Sequence, residues 1–384
     1  MLKMQFFLFA TVALLIACGD ASPEPEQAAG YLMFVGSYTK ETSKGVQAYR
    51  FDPDTGTASD LGLVAEMREP SFLAIHPNNE FLYALSEIDD FDDDESGSIT
   101  AFAIDPSTAK LTKLNEVSSR GAWPCHLNVD ATGKMLIVAN YAGGSVASFP
   151  VNSDGTLGEA VSFFQHEGGS VHPRQDHAHA HSADFSADNR FAIFSDLGLD
   201  QVKVYAANPD EASLQPHQPP FVSITPGSGP RHFAFHPNGD YAYGINELSS
   251  TVSAYSYDGA AGVLSEQQAI STLPENFDGE SYTAEIYVHP SGKFVYGTNR
   301  GHNSIAVFAV DQATGTLTAV EQVSTQGEWP RNFAIDPTGA YLLAANQNTD
   351  NIVIYRIDAE SGRLTPTGDE LLLDAPVCIR FLVP

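Results

Sequence analysis

His232-Phe-Ala-Phe-His236-Pro-Asn-Gly239 decides how this chain is read, because it recurs. Related octads stand at Phe72-Leu-Ala-Ile-His76-Pro-Asn-Asn79, His126-Leu-Asn-Val-Asp130-Ala-Thr-Gly133 and Ser182-Ala-Asp-Phe-Ser186-Ala-Asp-Asn189. Two more are Glu285-Ile-Tyr-Val-His289-Pro-Ser-Gly292 and Asn332-Phe-Ala-Ile-Asp336-Pro-Thr-Gly339. Their turn residues, 76, 130, 186, 236, 289 and 336, are spaced by 54, 56, 50, 53 and 47. Each octad leads through a His/Asp-Pro-x-Gly turn into a second apolar run. A third alternating run follows at 98–104, 145–151, 201–206, 251–257, 304–310 and 351–357. A weaker fourth run often begins after Gly-x-Leu, as at Gly155, Gly262, Gly315 and Gly362. Alternation with period two is the pattern of strands, and no segment carries a sustained helical stripe. Four short antiparallel strands in each period of about fifty residues mark a propeller blade. Six copies are complete and a seventh is split. Residues 31–37 and 45–51 supply its middle strands, and 377–383 supply its inner strand. The reading is therefore all-β: a seven-bladed propeller of four-stranded antiparallel blades over 31–384. Terminal strands sharing one blade would close the ring and remove two unpaired sheet edges.

Lys+Arg 19 against Asp+Glu 48 gives a net charge of −29. Such a field repels nucleic acid and anionic lipid surfaces, so neither is expected as a partner. The acidity serves solubility, and a monomer is expected. Against it, any cluster of arginines stands out. At the N-terminus, Lys3 precedes an apolar run from Phe6 to Ile16, too short to span a bilayer as a stable helix. Leu15-Ile16-Ala17-Cys18 resembles a bacterial lipobox. Residues 1–17 are thus expected to be a lipoprotein signal peptide, Cys18 the lipidated residue, and 18–30 a flexible tether. The protein would be an exported bacterial lipoprotein, periplasmic or outer-membrane associated, touching membrane only through that anchor. The remaining cysteines, Cys125 and Cys378, fall in non-adjacent blades and are expected to be free.

In a propeller the first strand of each blade lines the channel and the second runs back beside it. The start of the first and the end of the second then share the face opposite the Pro-x-Gly turn. Five residues before each turn residue stand Ser71, Cys125, His181, Arg231, Ala284 and Arg331. Four before stand Phe72, His126, Ser182, His232, Glu285 and Asn332. Ten after stand Ser86, Asn140, Asp196, Asn246, Asn299 and Asn346; eleven after, Glu87, Tyr141, Leu197, Glu247, Arg300 and Gln347. The recurring Asn has two readings, a cap for loop backbone groups and a ligand contact. Arg231, Arg300 and Arg331, sent to one rim with Glu247, Glu285 and His181, suit a ligand carrying carboxylate or phosphate. A rim network of ion pairs is the alternative. His177, His179 and His181 would share a face on a strand, and with His172 could hold zinc. The pattern offers no Cys or carboxylate at the expected ligand spacing, so no metal and no cofactor is expected. His181 is expected to face the channel, with His177 in the preceding loop.

The chain resembles the seven-bladed lactonase propellers, which include the bacterial 6-phosphogluconolactonases and, as relatives, the fungal carboxy-muconate cyclases. The likeness covers about 31–384. It rests on Phe34-Val-Gly-Ser-Tyr-Thr39, on the stretch from His181 to Asn189, on Asp196-Leu-Gly-Leu-Asp200 and on Gly229-Pro-Arg-His232. It continues through Asn246-Glu247, Asn299-Arg300-Gly-His302 and Trp329-Pro-Arg331. The cyclase branch implies a site of one His, two Arg and one Glu, which fall here on His181, Arg231, Glu247 and Arg300. The implied activity is metal-independent hydrolysis of a sugar lactone. His181 or Glu247 would be the general base, and Arg231 and Arg300 would stabilise the oxyanion and hold an anionic substituent. Arg331, Glu285 and His302 would orient the sugar. His126, Asn140, Asp196, His232, Asn246, Asn299 and Asn346 complete the expected substrate contacts. A muconate-type lactonising enzyme, or a non-catalytic exported propeller binding an anionic ligand or a protein, are the alternatives.

Overall fold

The computed structural model describes residue 1 and residues 30–40, 43–93 and 95–383. The expected signal peptide, Cys18 and most of the tether lie outside the described residues. Seven four-stranded antiparallel sheets make up the rest. Blade 1 is the split one: Pro376–Leu382 pairs with Tyr31–Ser37, followed outward by Gly45–Asp52 and Thr57–Glu66. Blades 2 to 7 follow in chain order, with outermost strands ending at Ser118, Gln165, Ser223, Ser271, Ser324 and Leu372. A single 3-10 turn, Phe91–Asp93, is the only helical element among the described residues.

Burial explains why the strands form where they do. The second strands are the most buried, and Met135–Asn140 and Tyr341–Asn346 are buried at every position, because neighbouring blades cover both faces. Outer strands are exposed on one side, as in Ser213–Ser223 and Val263–Ser271. The repeated turn also ties blade to blade. His76 Nε2 reaches Gly133 O at 2.9 Å, His236 Nε2 reaches Gly292 O at 2.8 Å and His289 Nε2 reaches Gly339 O at 2.8 Å. Each imidazole accepts a backbone N–H at Nδ1 and so donates from Nε2 to the next blade. The receiving glycines have φ of +73°, +71° and +76°, and a Cβ there would lie 2.2–2.9 Å from the histidine ring. Glycine is required at this turn twice over, by its backbone and by its neighbour.

The inner strands are irregular where the site begins. Pairing shifts between Pro124 and His126, Pro230 and His232, and Pro330 and Asn332. Cys125, Arg231 and Arg331 are therefore the extra residues of β-bulges, which re-aim side chains at a strand's start. In blade 4 the inner strand shrinks to Asp184–Phe185, preceded by one bridge, Ala180 to Asp196. The stretch before it is a loop.

Candidate active site

The bulges open a cleft of about 170 Å³ at the face opposite the turns. Its walls include His181, Cys125, Glu247, Arg300, Arg331 and Arg174. Four guanidiniums gather here. The buried Glu247 carboxylate takes three of them: Arg174 Nη2 at 2.6 Å, Arg300 Nη2 at 2.7 Å and Arg231 Nε at 3.0 Å. Burial alone would push that carboxyl up, but Arg300, Arg231 and Arg174 outweigh it and hold it down at about 2. Arg231 also donates to Ala284 O at 2.7 Å. Arg300 donates to Tyr282 O and Thr283 O at 3.3 and 2.8 Å, under the Trp329 ring. Arg331 differs. Its nearest carboxylate oxygen, on Glu87, is 3.9 Å away, and its plane lies over Tyr38, whose hydroxyl donates to Glu87 at 2.8 Å. Its donors carry no hydrogen bond among the described residues.

His181 is buried, with Cys125 Sγ 3.7 Å from Nδ1 and no protein partner on Nε2 among the described residues. Burial, and then the Arg231 charge, push this imidazole well below 6.5, so it is neutral at pH 7. Behind it the channel is plugged. The His232 ring lies 5.3 Å from His181, 4.9 Å from His126 and 5.8 Å from Phe72. His232 Nδ1 meets Glu285 Oε1 at 2.7 Å, and Asn332 Nδ2 donates to the other Glu285 oxygen. Beyond the plug a second cavity of about 390 Å³ opens toward the turns, lined by His126, Asp184, Glu285 and Arg380 among others.

The structure thus brings His181, Arg231, Glu247, Arg300 and Arg331 together at one mouth. It places His126 and Glu285 on the far cavity and His232 between the two ends. Asn140 donates to Ser119 O, Asn299 to Thr272 O and Asn346 to Thr325 O, while Asn246 bonds Thr251 and Ser253. Asp196 accepts from His179 N and meets His166. These five side chains stay inside the blades as caps, the other reading of the recurrent Asn. His302 bonds Ser304 and packs its ring on Phe277, away from the cleft. The four histidines do not converge: His172 accepts from Arg174 N, and His181 enters the channel. Asp176, for its part, is a carboxylate within reach of His177 and His179. Cys125 and Cys378 are free and buried.

Three cleft residues escaped the count. Arg174 sits in the loop before blade 4, outside the repeating phase. Tyr38 sits in blade 1, which has no intact octad. Trp123 lines the cleft, and the chain's two tryptophans, Trp123 and Trp329, both fall seven residues before a turn residue, a signal that was readable.

Residues 32–381 match the family model described as Lactonase, 7-bladed beta-propeller. The 6-phosphogluconolactonase of Bacillus subtilis is 39% identical over 352 residues, covering 92% of this chain and 98% of its own length. That of Formosa agariphila is 39% identical over 310 residues, 79% of this chain and 86% of its own. Among solved structures, the periplasmic gluconolactonase of Pseudomonas aeruginosa is similar, with a TM-score of 0.87 at 35% identity, covering 92% of this chain and 99% of its own. With its fold, its cleft and these relatives in agreement, the chain belongs to the seven-bladed β-propeller lactonases.

Proposed function

We propose that this protein hydrolyses the ring ester of a sugar lactone at the arginine-lined mouth. The observation that carries the reading is two uncommitted groups on one cleft: the Nε2 edge of His181 and the guanidinium of Arg331. Water attacks the lactone carbonyl carbon and gives its proton to His181 Nε2. The oxyanion that forms is held by Arg331, whose donors are free to turn to it. The ring C–O bond then breaks, and the leaving alkoxide takes the proton back from His181, leaving an aldonic acid. No metal enters these steps. Glu247 is not the proton acceptor in this scheme, because three guanidiniums already occupy its carboxylate. Its role is to fix Arg174, Arg231 and Arg300 in place. Arg174, half exposed at the lip, faces the substrate's outer substituents.

Relatives of 39% and 35% identity, named for 6-phosphogluconolactone and gluconolactone chemistry, support the substrate class. The lipobox-like Leu15-Ile16-Ala17-Cys18 supports export, where an unphosphorylated aldonolactone is the better substrate. The test is hydrolysis of gluconolactone and of 6-phosphogluconolactone, each corrected for spontaneous opening. His181→Gln should lower kcat by about 10²–10⁴-fold without moving the melting temperature. Wild-type protein inactive on both lactones would leave only a binding rim and end the hydrolase reading.

A further inference from the structure

The loop that delivers Arg174 and His181 to the cleft carries a second constellation on its outer side. Asp176, His177 and His179 converge there, with one ligand atom from each lying within 4.8 Å of the others. Asp176 Oδ1 is 3.1 Å from His177 Nδ1 and 3.5 Å from His179 Nε2. A tetrahedron with metal–ligand bonds of 2.0–2.1 Å has edges of about 3.3 Å, so both separations match a shared ion.

Ring orientation points the same way. His179 Nδ1 lies 3.0 Å from Tyr141 O and His177 Nε2 lies 3.3 Å from Ala142 O. A carbonyl only accepts, so each imidazole places an N–H there. The opposite nitrogens, His177 Nδ1 and His179 Nε2, are the ones turned to Asp176 Oδ1. Histidines that donate one nitrogen to a carbonyl and offer the other inward are the usual arrangement around a bound metal.

The backbone beneath is fixed in advance. His179 N donates to Asp196 Oδ1 at 2.9 Å, and Leu197 N donates to His179 O at 2.9 Å. Ala178 and Ala180 are buried, and a Cβ on Gly198 would lie 1.9 Å from His177 O.

We propose that Asp176, His177 and His179 form a binding site for a divalent transition ion, with zinc the best match to two imidazoles and one carboxylate. The site stands beside the cleft. The His179 ring stacks on Tyr141 at 4.5 Å, and the Tyr141 hydroxyl receives a hydrogen bond from Arg174 at 3.3 Å. A bound ion would therefore clamp the loop that positions Arg174, and take no part in ring opening.

The experiment is calorimetric titration of tag-free, EDTA-stripped protein with zinc chloride, beside magnesium and calcium chloride. Cobalt(II) absorption serves as a second readout of coordination. Zinc should bind one per chain and raise the melting temperature, cobalt should give a tetrahedral d–d band, and magnesium and calcium should give neither. Asp176→Asn and His179→Ala should each weaken zinc binding by more than the about tenfold that even an outer-shell loss costs. His217→Ala, a histidine bonded to Ala261 O on an outer strand, should change nothing. Absence of saturable zinc binding overturns the proposal, and so does unchanged affinity in the folded His177→Ala, His179→Ala double variant.

Discussion

Replacing Glu247 by glutamine separates the two roles that a mouth carboxylate could have. The structure assigns it three guanidiniums at 2.6, 2.7 and 3.0 Å in a buried setting. Its carboxyl is held at about 2 against a reference of 4.5. That difference is worth about 3 kcal/mol of folding stability at pH 7, at about 1.4 kcal/mol per unit. Glutamine keeps the shape but removes the charge, leaving three arginines to repel one another. Losing one partner of a buried ion network costs about 3–5 kcal/mol. At about 2.1 cal/mol/K of unfolding entropy per residue, a propeller of this length should melt about 4–7 °C lower at pH 7. The sign with pH follows from a depressed folded pKa. The stabilisation is present above about 4.5 and lost as pH falls toward 2, where wild-type Glu247 becomes neutral like the glutamine. The gap between the two melting temperatures should therefore close across that window. Scanning calorimetry from pH 7 to pH 2 reads it directly. Activity should fall too, because Arg300 and Arg174 lose their anchor. A variant melting within about 1 °C of wild type at pH 7 while losing activity would falsify the positioning role and return Glu247 to the chemistry.

Arg331→Ala should lower kcat/KM by about 10²–10³-fold with the melting temperature little changed, since Arg331 makes no hydrogen bond among the described residues; undiminished turnover would remove it as the oxyanion partner. Deleting 376–384 strips buried Val377, Cys378, Ile379 and Leu382 from blade 1 and exposes the edge of Tyr31–Ser37. Three or four such side chains are worth about 5–10 kcal/mol, comparable to a whole domain's stability, so circular dichroism should show no cooperative melt. An intact transition would mean the ring does not depend on its closure. Asp184, at the far cavity, has its carboxyl pushed up to about 8, first by burial and then by Glu285. Here the native state holds a proton that the unfolded chain has released, so stability falls between about pH 4 and 8 by up to about 6 kcal/mol. Asp184→Asn, neutral throughout, should raise the melting temperature at pH 8.5 and scarcely at pH 5; an equal shift at both would show that burial does not perturb this group.

Most of the fold was readable because the physics repeats. Each second strand is covered on both faces, so its apolar run is continuous, and the turns at Gly133, Gly292 and Gly339 need glycine for two independent reasons. Outer strands face water on one side, which is why only a Gly-x-Leu announced them. The third strands matched closely: 98–104, 304–310 and 351–357 are the observed Ser98–Ile104, Ser304–Val310 and Asn351–Ile357. What the repeat could not carry is whatever departs from it. Arg174 and Asp176 lie in the loop between blades 3 and 4, where no phase exists to count. Tyr38 and Arg380 lie in the split blade, which has no octad to align.

The bulges explain the remaining error. Strict alternation sends neighbouring residues to opposite faces of a strand, so Arg231 and His232 should not both reach the channel. Because pairing skips from Pro230 to His232, Arg231 is the unpaired extra residue and turns to Glu247, while His232 points inward to Glu285. The same shift sets Cys125 beside His126 and Arg331 beside Asn332. Two adjacent rows of side chains thus serve different depths: Cys125, His181 and Arg331, five before their turns, line the cleft, and Phe72, His126 and His232, four before theirs, build the plug beneath it. Counting back from the turns found both rows but assigned them to one rim, since a bulge changes where a side chain points without leaving a mark in the hydrophobic pattern. The plug of Phe72, His126 and His232 separates the arginine cluster from Asp184 and Glu285, so the mouth keeps more guanidiniums than carboxylates in a chain of net charge −29.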